Sequence, residues 1–406
     1  MALPDLSRRQ LLGALGMGVG GVALSACGGG SLGDDDGGDG GGGGGGGGGT
    51  IRVGLVVPQA GVYTPLGTDM QNGWDLWLQQ NDNRMGDWTV ETVTADEGEG
   101  PDTGVPAIQQ LLGDVDVVVG IVNSATALGV AEQFTEEEKL LLISNAGAVA
   151  ITGDARSDFV WRVSFTNAQN SFAMGEYLAA QNVGPVFVMA PDYAAGQENV
   201  TAFTEAFEAA GGTVAGSALS PFGTTQDFQP FLQRAQSSGA AAVFCFYSGG
   251  EAVSFVNQYA DFGLKDSIPL YGSGFLTEGS VLQGQGANAV GILTTLQYST
   301  EIDNEANQSF VEAYQAAYDV LPTVFAMSTY DAANVLSKAL AEAGDTSGTA
   351  LSEALGGLGT IDDSPRGPWE FEDQNPKQTI YLREVVDEGG TLINSVVEEL
   401  GEYGTV

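Results

Sequence analysis

From Ile51 onward the chain alternates short continuous apolar runs with amphipathic stretches. "IRVGLVVPQ" reads as a strand and is followed by a helix around "MQNGWDLWLQQND". The strand "WTVETVTAD", the helix "GVPAIQQLLG", the strand "VDVVVGIVN", the helix "ATALGVAEQFTEEE" and the strand "LLLIS" continue the series. Strands that are apolar without alternation are buried on both faces, and a parallel sheet with helical crossovers provides that burial. Trp74 and Trp77, three residues apart on the first helix, are expected to anchor it to the core. The alternation restarts after "FVWRVSFTNAQN" with "GPVFVMAPDY", the helix "AAGQENVTAFTEAFEAAGG", "TVAGSAL", a helix near "DFQPFLQRAQSSG", "AAVFCFY", the helix "EAVSFVNQYADFG" and "IPLYGSG". A helical region follows over about residues 305–344, interrupted at Pro322, and the tail reads as antiparallel strands. The fold class is therefore α/β: two lobes, each a parallel sheet with helices on both faces, and a late return of the chain. Ligand groups are expected on loops at the strand C-termini, facing a cleft.

The preceding segment, "SRRQLLGALGMGVGGVALSACGGG", has the form of an export signal. Arg8 and Arg9 head an uncharged stretch of 16 residues, 10–25, which is shorter than the ~20 that span a bilayer. The twin arginine points to Tat export of a folded protein, and "LSAC" resembles a lipobox that would place a lipid on Cys27. Residues 28–50 are almost entirely glycine and aspartate, so they are expected to form a flexible tether. No Lys-Ser/Thr follows the glycines, which excludes a phosphate loop.

The 357 residues beyond residue 49 suffice for two lobes. The net charge of −39 opposes nucleic acid binding, and no basic patch is visible. This acidity fits both a high-salt habitat and ordinary acidic exported proteins. The chain has no histidine, which rules out His-based acid–base catalysis, triads containing His and His metal ligands. Cys245 is the one cysteine of the body and lies in an apolar run, so a buried core residue is expected. No cofactor or metal is expected.

The candidate site loops are small and neutral. "NSAT" (residues 123–126) follows a strand and opens a helix, where Ser124 is positioned to cap the helix and the amides face an anion. "SNAGA" (residues 144–148) permits close approach of a ligand to backbone. Tyr193 in "APDYAAG" and Tyr247 in "FYSGG" occupy equivalent strand-to-helix loops and are read as a clamp.

The order and spacing of "VGLVVPQAGVYTPLG", "VVVGIVNSATALGV", "LLISNAGA", "VWRVSFTNAQNSFAMGEYLA", "VMAPDYAAGQENVTAF", "DFQPFLQRAQSSGAAAVFCFYSGG" and "PLYGSGFLTEG" resemble the type I periplasmic-binding fold. The similarity is to the branched-chain amino acid and amide class, the leucine/isoleucine/valine-binding-like solute-binding proteins of ABC transporters. It covers about residues 51–395. The resemblance implies hinge crossovers between lobe 1 (51–166 plus 299–378) and lobe 2 (167–298 plus 379–406), with signal 1–27 and tether 28–50 outside them. It implies a carboxylate bound by Ser124 and Asn123 and backbone groups from Ala146, Gly147 and Ala148. Tyr193 and Tyr247 would close over the ligand, and Tyr63, Leu66 and Phe275 would line its pocket. Two positions depart from the pattern: a hydroxyl position is Ala148, and the acid that pairs with a ligand ammonium falls on Gly274, with Glu278 four residues on as its substitute. An aromatic acid without an amine therefore competes with a branched-chain amino acid. Arg162 is read either as a partner for such a carboxylate or as half of a structural ion pair.

The implied function is a non-enzymatic, lipid-anchored monomer on the outer face of the cytoplasmic membrane, delivering a small carboxylated solute to an ABC permease and its ATPase. The alternatives are a ligand sensor for a signalling partner and a carboxylate-based hydrolase.

Overall fold

The computed structural model describes residues 48–406 except Val62. The export signal, the lipobox with Cys27 and nearly all of the tether lie outside the described residues. Among the described residues no helix is long and apolar enough to cross a membrane.

The first lobe is built from β1 (Thr50–Val57), α1 (Thr64–Gln80), β2 (Arg84–Met85), β3 (Trp88–Asp96), α2 (Pro101–Leu112), β4 (Val117–Gly120), α3 (Ser124–Glu136), β5 (Leu140–Ile143) and β6 (Val160–Arg162). Their sheet runs β2-β3-β1-β4-β5-β6, parallel apart from the β2–β3 pair. Period-two alternation sends Ile51, Val53, Leu55 and Val57 to one face with Trp74 and Trp77, while Val56 joins α2 and α3 on the other. Trp74 is fully buried, and its indole N–H donates to Thr92 Oγ1 at 2.9 Å.

The second lobe contains α4 (Asn167–Ala180), β7 (Val186–Asp192), α5 (Ala194–Ala209), β8 (Val214–Pro221), α6 (Gln229–Ser237), β9 (Ala242–Cys245), α7 (Gly249–Asp261), β10 (Leu270–Ser273), α8 (Ser280–Gln285) and β11 (Leu293–Leu296). The chain then returns to the first lobe with α9 (Glu305–Tyr318), α10 (Val324–Ala343) and α11 (Gly348–Gly357). The break around Pro322 falls where the sequence places it: α9 ends on left-handed Asp319, and Thr323 caps α10. Finally β12 (Trp369–Glu372), β13 (Asn375–Glu388) and β14 (Thr391–Tyr403) add antiparallel strands to the second sheet, whose order is β12-β13-β11-β10-β9-β7-β8 with β14 on β13. All of β12 and β13 hydrogen-bonds into this sheet. The expected boundary at residue 378 thus lies inside β13, and the sheet boundary falls before Trp369.

Three chain segments cross between the lobes, and a fully buried arginine sits at each. Arg162, at the first, donates to the carbonyls of Ala146, Ala148 and Phe165 and to Thr152 Oγ1. Arg383, at the second, pairs with Glu278 at 3.0 Å and donates to Tyr298 O. Arg366, at the third, pairs with Asp331 at 2.7 Å, donates to Val163 O and Ser164 O of the first crossing, and stacks on Trp369. Buried ions are tolerated because pairing and hydrogen bonds replace their hydration.

Candidate functional site

The loops at the strand C-termini of both lobes meet around a chamber of about 450 Å³, open solvent at its mouth included. This is the position at which open α/β sheets hold ligands. The first lobe contributes Tyr63 and Leu66 after β1, Val122, Asn123 and Ser124 after β4, Asn145 and Gly147 after β5, and Phe325 from α10. The first crossing contributes Phe165 and Asn167, and the second lobe contributes Tyr193, Ala195, Phe246, Ser248 and Phe275. None of these side chains carries a charge.

The polar rim is organised around the start of α3. Asn123, not Ser124, is the cap: its Oδ1 accepts from the amides of Ala125 and Thr126. Ser124 Oγ instead accepts from the amide of Ala148 at 3.1 Å, which ties the two neutral loops together. Gly147 lies against Asn167 and Phe165, so close that a Cβ would come within 2.3 Å of Asn167 Oδ1. Ala146 and Ala148 do not line the chamber. Their side chains join the core and their carbonyls accept from Arg162, whose guanidinium is thereby occupied away from the chamber. Arg162 is therefore neither a cleft residue nor half of an ion pair.

The apolar wall is a chain of aromatic contacts. Phe275 lies 4.7 Å from Phe165 and 6.2 Å from both Phe246 and Phe325, and Tyr193 stacks on Phe222 at 4.1 Å. The lobes touch around the chamber. Tyr63 of the first lobe stacks on Phe222 of the second with ring centroids 6.3 Å apart, and burial pushes its phenol up to about 12. Glu198 on α5 accepts from the amide of Val149 at 3.3 Å and from Asn167 Nδ2 at 2.7 Å. Burial raises the pKa of Glu198, while those hydrogen bonds oppose the rise.

Tyr247 departs from the clamp expectation. It is fully buried behind the chamber, hydrogen-bonded to Ser220 and stacked on Phe255 at 4.4 Å. Strand alternation explains this: Val243, Cys245 and Tyr247 share one face, packed in the same core as Phe255 and Val256 of α7, and Phe246 takes the chamber side. The same two-residue period, read one position earlier, was the available signal for Phe246. Phe165 and Asn167 stand in the quoted "SFTN" motif, whereas Phe325 comes from a helix far along the chain and carried no local signal. The two departures at Gly274 and Glu278 also resolve. A Cβ on Gly274 would meet Leu296 and Arg383 Nη2 rather than the chamber. Glu278 is held by Arg383 and by the amide of Val324 at 2.8 Å, so it offers the chamber no carboxylate.

A family model described as periplasmic binding protein matches residues 50–391. The Leu/Ile/Val-binding protein homolog 6 of Brucella melitensis is 32% identical over 365 residues, covering 87% of this chain and 92% of that protein. Among solved structures, an ABC-transporter solute-binding protein of R. palustris in complex with benzoate is 32% identical with a TM-score of 0.81, covering 87% of this chain and 98% of that one. A second R. palustris solute-binding protein, in complex with 4-hydroxybenzoate, is 30% identical with a TM-score of 0.81, covering 86% and 96%.

Proposed function

Because this chain belongs to the periplasmic binding protein family, we propose that it captures a small aromatic carboxylate, benzoate or a ring-substituted relative, for an ABC importer. The carrying observation is the lining of the chamber: aromatic walls, a neutral polar rim at the start of α3, and no charged side chain. An amino acid would bring an ammonium into this space with no carboxylate to receive it, and a desolvated unpaired charge costs several kcal/mol. An aromatic acid meets no such penalty. Its ring fills the space bounded by Phe165, Phe246, Phe275 and Phe325, where edge and stacked contacts add to burial. Its carboxylate faces Ser124 and Gly147 at the positive end of α3. The similarity to benzoate-binding and 4-hydroxybenzoate-binding proteins supports the same choice.

Binding needs no bond chemistry. Hinge rotation brings Tyr193 and Phe246 over a solute held by the first lobe, and the Tyr63–Phe222 and Glu198–Val149 contacts mark the shut form. The closed form then docks on a membrane permease, and Cys27 carries the lipid that keeps the exported protein at the membrane. Calorimetric titration with benzoate, 4-hydroxybenzoate and leucine tests the solute class. The benzoates are expected to bind at least about 100-fold more tightly than leucine, roughly 2.7 kcal/mol. Tighter binding of leucine would overturn the reading.

A further inference from the structure

The turn that carries Asn123 and Ser124 to the chamber has an unusual backbone. Ile121 adopts φ 66° and Gly120 φ 125°. A β-branched residue at positive φ is a genuine outlier, and such geometry persists only where its surroundings enforce it. The enforcement is visible. Ile121 donates to Val56 O and accepts from the amide of Ala146, both at 2.9 Å. The next two amides, of Val122 and Asn123, each donate to a different oxygen of Glu97 at 2.7 Å. Glu97 is fully buried at the end of β3, and Gly104 of α2 lies close enough that a Cβ there would be 3.1 Å from Glu97 Cγ. The start of α3 is thus approached by the protein's own carboxylate on one side and by the chamber on the other.

We propose that Glu97 is a positioning residue for the solute, holding the strained turn under the chamber rim, and that it takes up a proton when an anionic solute binds. This rests on the carboxylate reading above. Two carboxylates at one helix start in a low-dielectric interior repel, so one of them becomes neutral. The proton goes to Glu97 and not to the solute, because burial has already moved Glu97 up to about 7, against the pull of the Val122 and Asn123 amides. The titratable groups around it are Asp96 beside it on the chain, which raises it further, and Tyr63 across the turn; Thr126 of α3 and Gly104 of α2 are uncharged. The proton comes from solvent, at most one per solute. Protonated Glu97 keeps an acceptor oxygen for the turn while the solute carboxylate takes the anion's place at the helix start.

The sign follows from linkage. The complex holds its proton to higher pH than the free protein, so affinity is greatest below pH 7 and falls as pH rises through and above it. Calorimetry of the full-length protein with benzoate at pH 7, in phosphate and in Tris, reads the proton directly. The expected result is different heats in the two buffers corresponding to uptake of part of a proton, with a Kd rising about threefold to tenfold between pH 6.5 and 8.5. Glu97→Gln is expected to abolish the uptake and flatten the pH profile. Equal heats in both buffers with benzoate bound, or unchanged uptake in Glu97→Gln, would overturn the proposal alone. If no benzoate binds in either buffer, the aromatic-carboxylate reading falls and this one with it. The buffer pair on the unmodified protein decides the question even where the variant does not fold.

Discussion

The chamber and the crossovers beside it use opposite electrostatics. The crossovers are fastened by wholly buried charges: Arg366 with Asp331, Arg383 with Glu278, and Arg162 among carbonyls. The chamber presents only uncharged groups: hydroxyls, amides, aromatic rings and the aliphatic side chains of Leu66, Val122 and Ala195. The frame therefore holds its ions in fixed geometry through ion pairs and several hydrogen bonds each, where removing one partner is expensive. The chamber, with no fixed charge on its walls, leaves the sign of the solute to main-chain dipoles. A strongly acidic protein thus keeps charged side chains off the chamber lining while its buried arginine ion pairs sit in the crossovers.

That contrast predicts its largest effect at Arg366. Arg366→Met leaves Asp331 buried without its counter-charge, only the Ser364 hydroxyl remaining on it, and should cost about 3–5 kcal/mol in urea unfolding. Replacing Asp331 by leucine in the same chain should restore much of the loss; a single variant as stable as the parent would break the contrast. Ser124→Ala should act on the other side of it. Losing a hydrogen bond to a charged carboxylate is worth about 1.5–3 kcal/mol, so benzoate affinity should fall roughly tenfold to a hundredfold, and the orphaned Ala148 amide should cost about 1 kcal/mol of stability besides. Glu198→Gln sits between the two regions, since it joins α5 to the Val149 amide across the lobes. An affinity loss of about threefold, expressed as faster release in stopped-flow fluorescence, is expected from the weaker neutral acceptor. The smallest effect on affinity belongs to Tyr247→Phe. It should cost about 1 kcal/mol of stability through the lost Ser220 hydrogen bond and leave affinity unchanged. A loss of affinity there would return Tyr247 to the clamp.

Most strands of both sheets were legible because burial on both faces writes continuous apolar runs; β3, with no fully buried residue, was marked to the residue by the Val- and Thr-rich "WTVETVTAD", and β2, β6 and β11 were not read. The loops that line the chamber were legible for the same reason, since they must follow those strands. Within the loops the reading weakened. Asn123 and Ser124 are both good caps, and only the approach of Ala148 assigns Ser124 a different task. Phe246 and Tyr247 are neighbours, and their assignment required the phase of β9 against α7. Of the nine arginines in the sequence, nothing local marks Arg162, Arg366 and Arg383 as the buried ones.

The order of apolar runs, the helix stops and the missing histidine settled by themselves that this chain forms α/β lobes with loop-borne polar groups and no imidazole chemistry. Those features depend on period and composition, which are local. The tertiary structure alone decided that Phe325 meets Phe275, that Arg383 occupies the space beside Gly274, and that Glu97 holds the turn under Ser124. Such contacts join residues from 25 to more than 100 positions apart. Their energies depend on close packing and exclusion of water, which exist only once the lobes have formed and met.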